Sequence, residues 1–285
     1  MSVFNKNYSS FYDDLYVHKN YFSEFKLLQK IIDKYKKDSK NILELGCGTG
    51  SYTKFFLKNK FIITAVDQSR YMLTIAKKKN KSPNVNFVKK NILNFKSKNK
   101  KYDVIGAFFD VISYFKNKNQ FKIFLKNSNN NLNKGGLLIF DFWNKDGVIK
   151  LKPENRSKFY KKKNYDILKI TNPKWLKRKD KVLVETKIFK FFKKTKKIII
   201  SDEKHEMLYF QLNFIKRELK LNNFKFLKWF VLNGKNKKLN SSWSIMVIAK
   251  KNKLMKKKIA FFIDSQKNAG GAFQEAQYLI KNILK

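Results

Sequence analysis

The stretch "NILELGCGTGSY" (41–52) constrains the fold of this chain more than any other part of the sequence. An apolar run, typical of a buried strand, is followed directly by Gly46, Gly48 and Gly50 and then by helix-forming residues. Glycine tolerates positive φ and lets a ligand approach the backbone closely. A helix that begins after such a loop offers free backbone N–H groups. The stretch therefore indicates either a cofactor loop between a strand and a helix, or a tight turn.

Asp67 favours the cofactor loop. It ends the next apolar run, "FIITAVD", about twenty residues downstream, where an acidic side chain can accept both hydroxyls of a ribose. The spacing does not fit a dinucleotide fingerprint, because Ser51 stands where the third glycine of G-x-G-x-x-G belongs. Glu44, two residues before the first glycine, is also unusual for a dinucleotide loop.

Strand and helix patterns alternate through the first half of the chain. The apolar spacing predicts one or two leading helices over 11–36. After them, the runs "NILELG", "FIITAVD", "VNFVKKN", "YDVIGAFF" and "GGLLIFDFW" are predicted strands, with helices predicted over 51–59, 69–79 and 118–132. Such alternation is typical of a parallel sheet with helices on both faces, and runs that are almost wholly apolar suit strands buried on both sides.

The pattern changes over 157–210. The segments "NYDILKIT", "KVLVETKIFKFF" and "KKIIISDEKHEMLYF" predict successive antiparallel strands separated by charged turns. A helix over 211–220 and the strands "FKFLKWFVL" and "SSWSIMVIAKK" follow, with Asn233-Gly234 at the turn between them. The simplest assembly returns the last two strands to the main sheet and leaves 157–210 as a flap over one end.

These motifs resemble those of the class I S-adenosylmethionine-dependent methyltransferases. The resemblance rests on "ELGCGTG", on Asp67, on "VKKNILNF" (88–95) and on "YDVIGAFFDVISYF" (102–115), and it extends over roughly residues 10 to 250. It implies an α/β fold with a Rossmann-like, mainly parallel seven-stranded sheet, helices on both faces and an antiparallel strand insertion. It also implies that the cofactor is S-adenosyl-L-methionine.

The resemblance assigns roles around the cofactor. The loop would wrap the methionine end, Asp67 would hold the ribose, and Gln68 and Met72 would lie near the adenine. Asn91 stands where the family often has Asp against the adenine amino group, and an amide can also accept that hydrogen bond. The cofactor-binding residues implied in this way are Tyr21, Glu44, Gly46, Cys47, Gly48, Asp67, Gln68, Met72, Asn91, Ile92 and Phe108.

Three further stretches are similar to methyltransferases that act on sugars, including the N,N-dimethyltransferases of nucleotide-linked amino sugars. They are "YDDLYVHKNYFSEF" near the N-terminus, "FFDVISYF" after the fourth strand and "EKHEMLYFQLNFIKREL" after the flap. Enzymes that methylate nucleic-acid bases usually carry a (D/N)PPY stretch after the fourth strand, and this chain has no proline there. The resemblance implies a small-molecule substrate, an amino or hydroxyl group of a nucleotide-linked sugar or glycan intermediate.

Tyr12, Tyr16, Tyr114 and His205 are the candidate catalytic residues, with Asp141 at the end of the fifth strand as a further candidate. Tyr114 stands where some sugar methyltransferases have a histidine just past the fourth strand, which leaves N- versus O-methylation open. An amine acceptor needs only to be unprotonated, whereas a hydroxyl needs a general base. The tyrosines are equally compatible with core or rim positions, His205 with a structural histidine, and Asp141 with a loop cap.

Composition narrows the function classes. The net charge is +44, but only four of the 65 basic residues are arginine and the lysines are spread along the chain. We interpret this as compositional drift and expect no nucleic-acid partner, because readers of nucleic acids favour bidentate arginine. One cysteine and two histidines argue against a metal site. No apolar stretch reaches the length of a membrane span and the N-terminus lacks a signal-peptide pattern, so we expect a cytoplasmic protein.

The tail has a pattern of its own. Residues 1–253 are predicted to form the methyltransferase domain, and residues 254–285 a linker and the truncated start of a second domain. That tail resembles the first strand, loop and helix of a two-lobed retaining glycosyltransferase; the alternative is a peripheral helix. Two other functions stay open: an inactive cofactor-fold scaffold attached to a glycosyltransferase, and an RNA-binding methyltransferase. The oligomeric state is also open.

Overall fold

A computed structural model describes residues 4–97, 100–232, 236 and 238–252. Within these residues the helices are α1 Lys6–Leu15, α2 Tyr21–Lys36, α3 Ser51–Lys58, α4 Arg70–Lys79, α5 Lys118–Asn131, α6 Lys145–Leu151 and α7 Leu212–Leu221. The strands are β1 Asn41–Leu45, β2 Ile62–Asp67, β3 Val85–Lys89, β4 Tyr102–Ala107, β5 Leu132–Asn144, β6 Arg156–Lys161, β7 Tyr165–Leu176, β8 Lys181–Phe192, β9 Ile198–Phe210, β10 Phe224–Leu232 and β11 Ser244–Lys251. The predicted Asn233-Gly234 turn and the predicted glycosyltransferase-like tail lie outside the described residues.

The helices begin where the sequence supplies capping side chains. Asn5, Asn20, Asn117 and Asn144 each accept a hydrogen bond from a backbone N–H in the first turn of α1, α2, α5 and α6. Ser69 does the same for α4. Such caps satisfy N–H groups that have no partner inside the helix and typically stabilise it by about 1 kcal/mol. The abundant asparagine of this chain is therefore used at helix starts.

The parallel part of the sheet follows the prediction. Strands β3, β2, β1, β4 and β5 lie side by side in that order and are parallel. The two last strands return to this sheet, because β11 pairs antiparallel with β5 and β10 pairs antiparallel with β11. These seven strands form the expected methyltransferase arrangement.

The predicted strand number of seven was too small, because the described sheet has eleven strands. The end of β5, at Trp143 and Asn144, pairs with Tyr209 and Phe210 of β9. From β9 the sheet continues antiparallel through β8 and β7 to β6. The flap is thus joined to the main sheet by hydrogen bonds, which is possible because the thirteen-residue β5 extends beyond Phe140, the last residue that it pairs with β4, on the edge opposite β11.

Two apolar clusters cover the two faces of the main sheet. On one face Leu138, Phe140 and Phe142 of β5 pack with α5 and α7. On the other face Leu137 and Ile139 pack with α2 and α3. Alternate residues of one strand thus serve opposite clusters, as the side-chain period of two requires. The predicted placement of helices on both faces is confirmed.

Candidate active site

A cavity of about 550 Å³ lies at the carboxyl ends of β1, β2 and β4. Residues of α1 line it from one side, and residues of the flap strands β6 to β9 line it from above. In open α/β sheets this edge, where neighbouring connections leave in opposite directions, is the usual ligand crevice. The parallel strands, α1 and the flap therefore line one partly open cavity.

The three glycines of the loop after β1 differ in what they allow. All three have positive φ, at 73° for Gly46, 54° for Gly48 and 75° for Gly50. A Cβ on Gly46 would stand 2.6 Å from the Val111 side chain, and one on Gly50 would stand 2.5 Å from Asn80. A Cβ on Gly48 would meet nothing within 4 Å. Gly46 and Gly50 are thus needed for packing, whereas Gly48 leaves open space on the cavity side.

Asp67 lies beside this loop. One carboxylate oxygen accepts a hydrogen bond from Gly48 N at 2.9 Å and the other accepts one from Ser69 N at 2.8 Å. Burial raises the pKa of Asp67, although the backbone hydrogen bonds from Ser69, Gly48 and Gln68 lower it. A carboxylate has about four acceptor sites, so Asp67 keeps acceptor capacity for a ribose hydroxyl. The loop and Asp67 together fit S-adenosylmethionine.

Glu44 does not reach the cavity, in contrast to the predicted cofactor contact. Its side chain is 2 % exposed and accepts a hydrogen bond from the Thr53 hydroxyl of α3 behind the loop. Burial raises the pKa of Glu44 to about 8, with the Thr53 hydrogen bond opposing the shift and the charge of Asp67 adding to it. Glu44 therefore supports the loop from beneath and is largely protonated at neutral pH.

The other predicted cofactor residues all line the cavity. They are Tyr21, Gly46, Cys47, Gly48, Asp67, Gln68, Met72, Asn91, Ile92 and Phe108. The side-chain oxygen of Asn91 already accepts a hydrogen bond from Leu93 N at 2.9 Å. Its amide nitrogen, unlike the carboxylate common in the family, can also donate.

The four predicted catalytic residues meet in the same cavity. Tyr12, Tyr16, Tyr114 and His205 all line it, and the Tyr114 hydroxyl lies 3.3 Å from His205 Nδ1. Burial lowers the pKa of His205 to about 4, with the charge of Lys169 as the smaller cause, so the imidazole is neutral near pH 7. Burial also raises the pKa of Tyr12 and Tyr114 well above the ordinary value.

Asp141 is a loop cap, and Asp110 takes the place in the cavity that was expected for it. The Asp141 carboxylate accepts hydrogen bonds from Phe109 N at 2.9 Å and Asp110 N at 2.7 Å. These bonds hold Phe109 and Asp110 at φ of 68° and 61°, a conformation that costs a non-glycine residue about 1 kcal/mol or more. Asp110 lines the cavity and accepts a hydrogen bond from the Ser244 hydroxyl at 2.8 Å. Burial raises its pKa to about 6.

The flap contributes a basic group that the sequence did not reveal. Arg156 and Lys158 of β6 and Lys169 of β7 all line the cavity, and Lys158 lies directly opposite Lys169 in the antiparallel pair. Within the described residues none of the three has a carboxylate within 4.0 Å. Like charges opposite each other destabilise a strand pair. The only signal in the sequence is the alternation of side chains along each strand, which places these residues on one face once the two strands are paired.

Two indole rings lie beside this basic group. Trp143 and Trp243 also line the cavity, with ring centroids 4.8 Å apart. The Arg156 guanidinium lies 6.0 Å from the Trp243 ring centroid. The roofed half of the cavity is therefore aromatic and cationic, while the half beside Asp67 contains the glycine loop.

In the described part of the chain, His, Cys, Asp and Glu side chains form no group of three that could hold a metal ion. None of the described helices is long and apolar enough to cross a membrane.

Comparison with known proteins identifies relatives of the segment that contains the glycine loop and Asp67. Residues 42–136 match the model of the family described as methyltransferase domain. The ribosomal RNA small subunit methyltransferase A of Mesomycoplasma hyopneumoniae (strain 232) is 31 % identical over 108 residues, which cover 37 % of this chain and 40 % of that protein. Across the curated relatives it matches, the chain spans from 33 % to 60 % of their length.

Solved structures match over most of the chain. An S-adenosylmethionine-dependent methyltransferase from Clostridium acetobutylicum has a TM-score of 0.69 at 22 % identity, covering 86 % of this chain and 98 % of that one. A sugar N-methyltransferase from Streptoalloteichus sp. has a TM-score of 0.72 at 13 % identity, covering 85 % and 92 %. Residues 42–136 therefore form a methyltransferase domain, and the chain has the fold of solved S-adenosylmethionine-dependent methyltransferases.

Proposed function

We propose that this chain transfers a methyl group from S-adenosylmethionine to an amino or hydroxyl group of a sugar or glycan intermediate, most simply a nucleotide-linked one. The observation that carries the proposal is the composition of the roofed half of the cavity. Trp143 and Trp243 offer apolar ring faces to a sugar, and Arg156, Lys158 and Lys169 offer cations without a carboxylate partner among the described residues. Arginine and lysine bind phosphate groups through charge-assisted hydrogen bonds. An anionic sugar derivative would supply what this half of the cavity lacks.

The cofactor half of the cavity would hold the donor. When bound, S-adenosylmethionine supplies an electrophilic methyl group on a sulfonium. Asp67 would accept hydrogen bonds from the ribose hydroxyls, and the Gly48 backbone would lie close to the methionine part. Gln68 and Asn91 would contact the adenine. Because the methyl group needs no further activation, holding the acceptor atom in line supplies much of the rate.

Tyr114 and His205 would handle the proton of the acceptor. If the Tyr114 hydroxyl donates to Nδ1 of the neutral His205, its oxygen lone pairs are left to accept a hydrogen bond from the acceptor. That arrangement fits a hydroxyl acceptor, which needs a base, and also an amine, which needs only orientation. Tyr12 and Tyr16, whose ring centroids are 4.8 Å apart, would form the wall beside the acceptor.

The RNA alternative rests on two observations, the net charge of +44 and the similarity to a ribosomal RNA methyltransferase. That similarity covers 37 % of this chain, whereas the similarity to the sugar N-methyltransferase structure covers 85 % and so includes residues of the flap. The inactive-scaffold alternative is disfavoured by the intact glycine loop and Asp67.

The proposal is tested by offering the full-length protein two acceptor sets with labelled S-adenosylmethionine. One set contains nucleotide-linked amino and deoxy sugars, and the other contains small-subunit ribosomal RNA. We expect label in a sugar product by mass spectrometry and none in RNA at physiological salt. Label in RNA alone would support the RNA alternative, and absence of cofactor binding by calorimetry at millimolar concentration would leave the scaffold. A Lys158→Gln, Lys169→Gln double variant should raise the KM for a phosphate-bearing sugar without weakening cofactor binding.

A further inference from the structure

Glu203 is a buried carboxyl group near the cavity that the proposed proton transfer does not use. It stands two residues before His205 on β9, so both side chains lie on the face of the flap that covers the cavity. Glu203 is 4 % exposed and His205 is 5 % exposed. His205 lines the cavity, whereas Glu203 lies behind it and outside the lining. An acidic side chain is seldom buried to this extent without a partner.

The two ring nitrogens of His205 have different surroundings. Nδ1 lies 3.3 Å from the Tyr114 hydroxyl. Nε2 is buried and has no hydrogen-bond partner among the described residues, and Glu203 Oε2 lies 4.0 Å from it. Because the imidazole is neutral near pH 7, one nitrogen carries a proton and the other a lone pair. A Tyr114 hydroxyl that donates to Nδ1 leaves the proton on Nε2, on the side of Glu203.

The residues that precede α1 fix the Glu203 carboxyl group. The Asn5 side-chain amide donates a hydrogen bond to Oε1, and the Phe4 backbone N–H donates to the same carboxyl group. Asn5 is itself held in place, because its side-chain oxygen caps α1 by accepting from Tyr8 N at 2.9 Å. The start of α1 therefore holds Oε1, and Oε2 is the oxygen that faces His205.

Aromatic rings surround the pair formed by Glu203 and His205. The Phe4 ring centroid lies 5.5 Å from that of His205 and 5.4 Å from that of Tyr114, and the Tyr8 ring lies 5.3 Å from His205. In such apolar surroundings a hydrogen bond is stronger than in water, and an N–H group without a partner is costly. Burial raises the pKa of Glu203, with the Phe4 hydrogen bond opposing the shift. Both the ionised and the protonated carboxyl group can accept a hydrogen bond from Nε2–H.

We propose that Glu203 is a positioning residue that holds His205 in the tautomer with its proton on Nε2, so that Nδ1 faces Tyr114 as an acceptor. The inference rests on the proposed function, in which Tyr114 and His205 handle the proton of the acceptor. The acceptor atom bonds to the methyl carbon as the carbon–sulfur bond breaks, with its electron pair remaining on sulfur. The proton of the acceptor passes to the Tyr114 oxygen while the Tyr114 proton passes to Nδ1, and Glu203 lies beside the resulting imidazolium. Contacts between a base and the group that orients it are often long before a substrate binds.

The first test reads the tautomer of His205 by NMR and needs no substrate, so it is separate from any failure of the proposed function. Isotope-labelled histidine in the full-length protein gives two sets of ring signals, because the chain has two histidines, and His18→Gln identifies the set of His205. At neutral pH we expect the proton on Nε2 in the parent protein and in Glu203→Gln, whose amide oxygen can still accept. Glu203→Leu should give a mixture of both tautomers. A proton on Nδ1 in the parent protein, or an unchanged tautomer in folded Glu203→Leu, would overturn the inference.

The second test compares turnover of the acceptor found in the sugar screen. Glu203→Leu should lower kcat by about ten- to a hundredfold, a part of the roughly 10²- to 10⁴-fold that a positioned acid–base group supplies. Neither KM should change, because Glu203 does not line the cavity, and Glu203→Gln should restore part of the loss. Glu206→Leu is the matched control, since Glu206 lies on the opposite face of β9 with its side chain 57 % exposed, and it should keep the parental kcat. Melting temperatures show that each variant is folded, and a folded Glu203→Leu with the parental kcat would overturn the inference.

Discussion

At the scale of single residues, two aspartates of the parallel strands have opposite uses. Asp67 ends β2 at the carboxyl edge of the sheet and lines the cavity. Asp103 lies near the start of β4 and accepts hydrogen bonds from Lys40 N at 3.0 Å and Asn41 N at 3.1 Å. Both are buried carboxyl groups that accept hydrogen bonds from the backbone. Their roles are distinguished by position, because Asp67 stands at the edge of the sheet that binds ligands and Asp103 stands at the opposite edge.

Asp67→Ala should weaken the binding of S-adenosylmethionine and leave the protein folded. Loss of a charge-assisted contact to two ribose hydroxyls is expected to cost about 1.5 to 3 kcal/mol, or roughly a ten- to hundredfold rise in Kd. Titration calorimetry measures this. Asp103→Ala should instead lower the melting temperature without changing Kd. An unchanged Kd in folded Asp67→Ala would remove Asp67 from the site.

Glu44 should make the stability of the protein depend on pH. Its pKa is about 8 in the folded protein and near 4.5 in the unfolded chain, so between these values the folded state binds the additional proton. Stability therefore falls as pH rises through this window. Glu44→Gln keeps the hydrogen bond to Thr53 but cannot ionise, so its stability does not change with pH through this group. The free energy of unfolding of the variant, relative to that of the parent protein, should therefore rise by roughly 3 to 4 kcal/mol from pH 5 to pH 8. Denaturant unfolding at several pH values measures the difference, and parallel pH profiles would show that Glu44 is charged in the folded protein.

At the scale of elements, α1 joins the cofactor loop to the flap. Asp13 accepts hydrogen bonds from the Thr49 hydroxyl at 2.7 Å and from Lys79 at 2.7 Å, on the cofactor side. Asp14 accepts a hydrogen bond from the Tyr165 hydroxyl of β7 at 2.8 Å and lies 3.3 Å from Lys162. Two adjacent carboxylates on one helix thus attach it to two different parts of the enclosure.

Asp14→Ala should loosen α1 from the flap. The substitution removes the carboxylate nearest to Lys190, which is 9 % exposed and 3.9 Å away, and it leaves the Tyr165 hydroxyl without its acceptor. We expect a loss of about 1 to 3 kcal/mol in the free energy of unfolding and faster amide hydrogen exchange in α1, with β1 and β4 unchanged. Asp33→Ala, at an exposed position of α2, is the matched control. Equal exchange in both variants would show that Asp14 does not hold the helix.

Elements with a strong local pattern could be predicted from the sequence, and their pairing could not. The parallel strands, the flap strands β7 to β9 and the helices other than α6 follow from apolar periodicity. Strand β6 was missed because "RSKFYK" is short and its buried residue is Tyr160 alone. Pairing of β5 with both β11 and β9 depends on strand length and register, which periodicity does not encode.

The same limit applies to the candidate site. The glycine loop and Asp67 have a fixed spacing, and Tyr114 and His205 were candidates from residue type and resemblance. Asp110, and not Asp141, lines the cavity because Phe109 and Asp110 both have positive φ. Neither position is a glycine, so the sequence gives no sign of this conformation. Arg156, Lys158 and Lys169 share a face only because β6 and β7 pair in one register.

At the scale of the whole molecule, the net charge of +44 opposes compact structure. The ion pairs of the described residues are mostly at the surface, for example Lys187–Asp202 at 3.8 Å with side chains 51 % and 70 % exposed. Such pairs contribute little, typically below about 1 kcal/mol. Repulsion among the excess lysines is therefore expected to destabilise the folded state by more than the surface ion pairs stabilise it.

The melting temperature should therefore rise with ionic strength. Between 10 mM and 150 mM KCl the Debye length falls from about 30 Å to about 8 Å, so repulsion between distant lysines is screened while partly buried pairs such as Lys19–Glu24 are affected less. We expect a rise of roughly 5 °C, the shift that about 2 kcal/mol gives in a domain of this size. Calorimetry of nuclease-treated protein in KCl measures it, and KCl is preferred to sulfate because sulfate also strengthens apolar burial. A melting temperature that falls with KCl would mean that the surface ion pairs outweigh the repulsion. In that case the excess lysine would be arranged for attraction, and the interpretation of the charge as compositional drift would be wrong.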